Sequence, residues 1–216
     1  MATYVPDIPG AFWVILVLEY PMGFLMCSAM TGFDTLYVAF FTHLVIQLKC
    51  LNNAMETMDM KSPNFNKTLR KYLNHHKFIL SFADELLDIV GIPMLGQYIV
   101  SMFLTCMEFY LLSDSFENPL RLLMSLGFTA SLLFQFWCYC YSATEFTTEA
   151  SLLGEGVYMS RWYEGTPSQQ KMLSLVILRA QKEVKCTAAG LVEIDRRAFM
   201  AVIKAAVSFY TLMKQF

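Results

Sequence analysis

The sequence predicts an all-α membrane helical bundle of four transmembrane helices, with further amphipathic helices on the cytoplasmic side. Three observations carry that expectation. The 216 residues are 56% hydrophobic and only 16% charged, where soluble domains run nearer 25% charged. Apolar stretches long enough for a hydrocarbon core of about 30 Å begin at Ala11, Ile89, Leu120 and Ala198. Most Lys and Arg residues fall in two polar segments between those stretches, as the positive-inside rule expects of cytoplasmic segments.

The first stretch, Ala11 to Leu48, is longer than one perpendicular crossing and is interrupted by Glu19, Tyr20 and Pro21. A long tilted helix bent at Pro21 and running past the membrane accommodates it, with Gly32 and Asp34 as a second weak point. Asp34 is costly in lipid and reads either as a ligand or ion contact or as a packed, water-facing bundle position. The first ten residues carry Asp7 and two prolines but no Lys or Arg, unlike the basic start of a secretory signal peptide.

Lys49 to Lys77 is polar, with Lys49, Lys61, Lys67, Arg70, Lys71 and Lys77 against Glu56 and Asp59, and is read as a cytoplasmic loop. The sequon Asn66-Lys67-Thr68 lies in it and serves as a topology marker. The next helix starts near Asn66 as a soluble extension and crosses from Ile89 to Leu112. Pro93 bends it, and Gln97, Ser101, Thr105 and Glu108 mark an inward face. Ser113 to Asn118 is a short acidic turn, with Pro119 opening the third crossing.

That crossing, Leu120 to Tyr141, ends in Phe134, Phe136, Trp137, Tyr139 and Tyr141, which reads as an interfacial aromatic belt. Ser142 to Arg197 is polar. Within it Thr166 and Gln169 form a capping box with Pro167 at the first helical position, opening an amphipathic helix whose Met172, Leu173, Val176 and Ile177 pack on one side. The final stretch, Ala198 to Phe216, has a length of about 28 Å as a helix. Its polar residues Lys204, Ser208, Thr211 and Gln215 recur every three or four positions and share one face. A water-filled pore and polar contacts between helices both account for such a face.

The net charge of −2 and the lack of a basic run exclude a general affinity for nucleic acid. His43, His75 and His76 show no metal-binding spacing, and no phosphate loop or nucleophile motif is present, so neither an enzyme nor a cofactor or metal site is expected. His75 and His76 are expected on a solvated helix surface, and His43 inside the bundle. The six cysteines, lacking a CxxC pair, are read mostly as small buried hydrophobes.

Three segments resemble the C-terminal half of insect odorant receptors. They are GFDTLYVAFFTHLVIQLKCL (Gly32 to Leu51), FWCYCYSATEFTTEASLLGEGVYMSRWYEG (Phe136 to Gly165) and RAQKEVKCTAAGLVEIDRRAFMAVIKAAVSFYTLM (Arg179 to Met213). The most specific features are the spacing of Glu149, Tyr158 and Trp162, Gly190, and the terminal pattern Phe199, Lys204, Ser208, Phe209. The resemblance implies the last four spans of a seven-span, inverted-topology subunit in the plasma membrane, with its C-terminus extracellular. It further implies an odorant-gated cation channel that assembles with an olfactory co-receptor as a heterotetramer and takes volatile small molecules as ligands.

By position, the resemblance assigns residues 1–148 to the receptor transmembrane region with its loop 49–77, 149–197 to a cytoplasmic anchor and 198–216 to a pore-lining helix. Lys204, Ser208, Thr211, Leu212, Gln215 and Phe216 would line the pore. Phe24, Met26, Met30, Ser125, Phe128 and Thr129 would contribute to an odorant pocket. Glu149, Tyr158, Trp162, Met172 and Val176 would hold subunits together, with membrane lipid around the bundle. The chain begins where the family's fourth span stands, so a truncated receptor is expected. A gustatory-type receptor and a four-span scaffold or membrane enzyme are the alternatives.

Overall fold

The computed structural model describes residues 11–114 and 118–213. The chain divides into two units, residues 1–39 and 40–216, each described by itself. The elements run α1 (Ala11–Glu56), α2 (Phe65–Asp114), α3 (Pro119–Ser151), α4 (Leu153–Met159), a 3-10 turn (Trp162–Glu164), α5 (Pro167–Ala180), β1 (Thr187–Ala188), β2 (Val192–Glu193) and α6 (Arg196–Met213). The fold is all-α apart from the small antiparallel hairpin, in which Thr187 pairs with Glu193 and Ala188 with Val192.

α1, α2 and α3 are long and apolar enough to cross a membrane by length and composition. α6 is not one of these three: its 18 described residues include Arg196, Arg197 and Lys204. A one-sided polar helix scores low on bulk hydropathy even where its other face is fully apolar.

Helix continuity exceeds the expectation from polarity. Of the polar segment 49–77, only residues 57–64 lie between helices, because α1 continues to Glu56 and α2 begins at Phe65. α3 likewise continues ten residues past Tyr141. Charged side chains end a membrane crossing but not a helix, since Glu, Lys and Arg are good helix formers. Pro21 and Pro93 both lie inside continuous helices. Pro119 sits at the start of α3, where Asn118 caps it by accepting from the Leu120 and Arg121 N–H groups, while Ser115 to Glu117 of the acidic turn lie outside the described residues.

The core of the second unit gathers residues from α1, α2, α3, α4 and α5. Phe41, Leu48, Met55, Phe65, Leu69, Phe146, Leu153, Val157 and Leu173 are buried there. Phe41 meets Phe146 edge-on with ring centres 5.6 Å apart. The aromatic belt divides in two. Phe134, Trp137 and Tyr141 stack along one exposed face, 6.0 and 5.0 Å apart, whereas Phe136 and Tyr139 are buried in the core. The 100° step between helix positions turns adjacent aromatics to opposite sides. The cysteines depart from expectation too: Cys140 and Cys186 are buried, Cys106 and Cys138 partly so, and Cys27 and Cys50 are exposed. In a membrane helix an apolar residue satisfies lipid as well as core, so apolar character does not imply burial.

Candidate functional site

α6 has two unlike faces. Ala198, Val202 and Ala206, spaced four apart, are buried, and the helix packs against α2 and α3. Small residues at this spacing let helix backbones approach closely. Lys204, Ser208, Thr211 and Leu212 are exposed on the other side. The Thr211 hydroxyl donates to the Ser208 carbonyl at 2.8 Å. Gln215 and Phe216 lie outside the described residues. The polar stripe therefore faces away from the chain's own bundle, available to water or to another subunit.

The root of α6 is bolted on two sides. The Arg196 N–H donates to Thr144 Oγ1 at 3.2 Å, and its guanidinium donates to Glu145 Oε1 at 3.1 Å and lies 5.5 Å from the Tyr141 ring centre. Asp195 caps the helix by accepting from the Ala198 N–H at 2.9 Å. Burial opposes the charge of Asp195, but its hydrogen bonds from Arg197 and the Ala198 N–H prevail and hold the carboxyl below its ordinary value. Arg197 also reaches Glu193 Oε2 at 3.0 Å, tying the helix to the hairpin.

The hairpin in turn seats on α2. A Cβ at Gly91 would lie 3.1 Å from the Ala189 backbone nitrogen. Its turn uses left-handed backbone at Ala189 (φ 50) and Gly190 (φ 70), which glycine adopts freely and alanine at some cost. Cys186, at the hairpin's start, donates to the Ala143 carbonyl at 3.9 Å. Burial, with Asp84 adding to it, pushes this thiol up to about 12, so it stays protonated.

The anchor residues converge in part. Glu149 pairs with Lys49 at 3.5 Å, and its carbonyl accepts from Asn52 Nδ2 at 3.2 Å. Val176 is buried with Leu173, Met172 is half-buried beside them, and the capping box that opens α5 is present with both reciprocal bonds. Trp162 is half-buried, while Tyr158 is 62% exposed and contributes nothing to this chain's own core.

Close glycine contacts complete the assembly. A Cβ at Gly156 would meet the Asn52 carbonyl oxygen at 3.0 Å, and one at Gly154 the Ala180 Cβ at 3.3 Å. The 57–64 connection is held by Lys61–Glu164 at 2.7 Å and by Gln169 Nε2 donating to the Met60 carbonyl at 3.3 Å. Their hydrogen bond raises the Lys61 ammonium and lowers the Glu164 carboxyl from their ordinary values.

Two histidine expectations are overturned. His76 is buried, 8% exposed, and its Nε2 has no partner among the described residues. Burial, then the charge of Arg179 and neighbouring His75, lowers its pKa. His75 pairs with Gln47 at 3.2 Å. His43 is exposed instead of lying in the bundle. No group of metal ligands occurs among the described residues.

The pocket candidates fall in both units. In the first, Phe24 joins Cys27, Ser28, Thr31, Gly32, Thr35 and Leu36 along an open groove, and Met26 and Met30 are exposed on the same helix. The Ser28, Thr31 and Thr35 hydroxyls each donate to the carbonyl four residues back, at 2.7, 2.8 and 2.7 Å, so they satisfy themselves in lipid. In the second unit, Ser125 Oγ donates to Glu108 Oε2 at 2.9 Å, linking α3 to α2. Thr129 is buried and donates to the Ser125 carbonyl at 2.8 Å, and Phe128 is exposed. The inward face of α2 is as expected, with Ser101 and Thr105 buried.

Sequence reasoning missed Asn52, His76, the Thr144 and Glu145 clamp on Arg196, and the hairpin seat at Gly91. Only Gly190 and the paired Gly154 and Gly156 left a signal, as points where a backbone must turn or approach closely.

Spanning helices, a packed helical core and a last helix with an outward polar face define a multi-span helical membrane protein. The chain matches the family described as 7tm Odorant receptor over residues 4–207. It is 26% identical over 183 residues to Odorant receptor 82a of Drosophila melanogaster, covering 84% of this chain and 47% of that one. It is 21% identical to Odorant receptor 10 of Aedes albopictus, covering 98% and 59% respectively. Its fold is similar to that of the insect olfactory receptor OR5 from Machilis hrabei in complex with eugenol, with a TM-score of 0.86 at 16% identity, over 100% of this chain and 56% of that one. The chain belongs to the insect odorant receptor family, whose members are receptors and not enzymes. It spans about half the length of the curated relatives it matches.

Proposed function

We propose that this chain supplies the pore and anchor portions of an odorant-gated cation channel subunit, acting with an olfactory co-receptor in a heterotetramer at the plasma membrane. The observation that carries the reading is the exposed stripe Lys204, Ser208, Thr211 and Leu212 opposite a buried Ala198, Val202, Ala206 seam. A helix so arranged buries its small residues in its own subunit and presents polar groups to a shared axis. The basic segments favour a helical core on the cytoplasmic side, and in this reading α6 leads outward to an extracellular C-terminus. Residues 149–197 form the anchor, where exposed Tyr158 suits contact between subunits. An odorant held by residues such as Phe24, Met26, Met30, Ser125, Phe128 and Thr129 opens the pore to the extent that it binds the open state more tightly.

Cysteine accessibility tests the pore assignment. In the chain co-expressed with a co-receptor, Ser208→Cys and Thr211→Cys are expected to react with a charged, membrane-impermeant thiol reagent at least tenfold faster than Ala206→Cys. Equal rates, or faster reaction at residue 206, would overturn it.

A further inference from the structure

The connection 57–64 carries a Ser-Pro pair, Ser62-Pro63, immediately after Lys61. The hydroxyl of Ser62 accepts weakly from the Asn64 N–H, at 3.3 Å, and has no acceptor for its own proton among the described residues. The chain's other hydroxyl-proline pair, Thr166-Pro167, is committed differently: Thr166 Oγ1 accepts from the Gln169 N–H at 3.4 Å and contacts Gln169 Oε1 at 3.0 Å, in a capping box that opens α5. Of the two hydroxyls, that of Ser62 is the less committed: it accepts one long bond and closes no capping box.

Its surroundings suit an added phosphate. Ser62 lies three residues before α2, where the Phe65 N–H already donates to the Ser62 carbonyl and the Thr68 N–H to the Asn64 carbonyl, which leaves the Asn66 and Lys67 N–H groups as the orphan donors of the first turn. The positive end of the helix dipole is close by, and exposed Lys61 is the residue immediately before it. Lys61 is at present given to Glu164 at 2.7 Å, and with the bond from Gln169 to the Met60 carbonyl this pair fastens the connection to the segment before α5.

We infer that Ser62 is a phosphorylation site for a proline-directed protein kinase, and that its phosphate draws Lys61 away from Glu164 and loosens the connection from residues 162–169. In the transfer, Ser62 Oγ forms a bond to the γ-phosphorus of ATP as the bond to the β–γ bridging oxygen breaks. ADP leaves with that electron pair, and the hydroxyl proton goes to the kinase's base. The phosphoserine carries about two negative charges against the single charge of Glu164, and it repels Glu164 and Asp59 as it holds Lys61. The physiological role rests on the cytoplasmic placement proposed above.

The test uses the full chain in lipid nanodiscs, incubated with ATP, Mg²⁺ and a purified proline-directed kinase. Phosphate is expected on Ser62, with incorporation reduced at least tenfold by Ser62→Ala and by Pro63→Ala. Amide exchange at Glu164 and Gly165 is expected to rise at least threefold on phosphorylation, and Lys61→Gln should produce the same rise unmodified. Phosphate on Thr166 alone, or on neither residue, would overturn the site; phosphate on Ser62 with unchanged exchange would overturn the switch. Nanodiscs expose both membrane faces, so this result is independent of sidedness. Glycosylation of Asn66 in cells decides the placement separately.

Discussion

His76 is a cost that the fold carries. A buried imidazole nitrogen without a partner forfeits about 1–3 kcal/mol of hydration, and its neighbours Arg179 and His75 oppose a positive charge there. Because burial lowers its pKa, the folded state binds this proton less readily than the unfolded chain does. The stability His76 leaves intact is therefore fully present above the ordinary value of 6.5 and declines as pH falls below it towards the depressed folded value. His76→Leu is expected to raise the unfolding temperature at pH 7.5 and to flatten the fall between pH 7.5 and 5.5, as read by thermal unfolding in detergent. A variant that melts lower would show that Nε2 has a stabilising role, and an unchanged pH slope would show that another group sets it. The Lys61–Glu164 pair makes the contrasting case: both groups lie in water, so its value is positional more than energetic.

Between elements, contacts are decided by the smallest residues. α4 rests on the end of α1 because Gly156 leaves room for the Asn52 carbonyl, 3.0 Å from where a Cβ would stand. Backbone offers no flexible atom to yield, so Gly156→Ala must shift the helix. A loss of about 1–3 kcal/mol is expected, the range for overpacking. Chemical denaturation should show a lower midpoint for Gly156→Ala than for Gly127→Ala, where nothing lies within 4 Å. Equal midpoints would mean that α4 is free to slide. The hairpin's seat on Gly91 has the same logic, and it matters for α6: with Thr144 and Glu145 on one side and Glu193 on the other, the helix is clamped at its N-terminal root.

For the molecule as a whole, sidedness is the property on which the functional reading turns. If the two basic segments are inside, Asn66 never meets the glycosylation machinery although its sequon is intact. An epitope placed after Phe216 should then be reached by antibody on intact cells, and the chain's mobility should be unchanged by glycosidase. Glycosylated Asn66, or an epitope reached only after permeabilisation, would reverse the topology and with it the pore assignment. Much of this architecture was legible beforehand. Apolar length determined three spans, Asn118-Pro119 and Thr166 with Gln169 determined two helix starts, and the spacing of Lys204, Ser208 and Thr211 determined the exposed stripe on α6, because each depends on backbone geometry within a single segment. Which neighbour a side chain meets was not legible. His76 is buried beside half-exposed His75, and Phe136 and Tyr139 are core while Phe134, Trp137 and Tyr141 face outward. A membrane helix is apolar on the side that meets lipid and on the side that meets protein, so composition cannot tell the two apart. Only tertiary packing decided it, through contacts between residues as distant in sequence as Asn52 and Glu149.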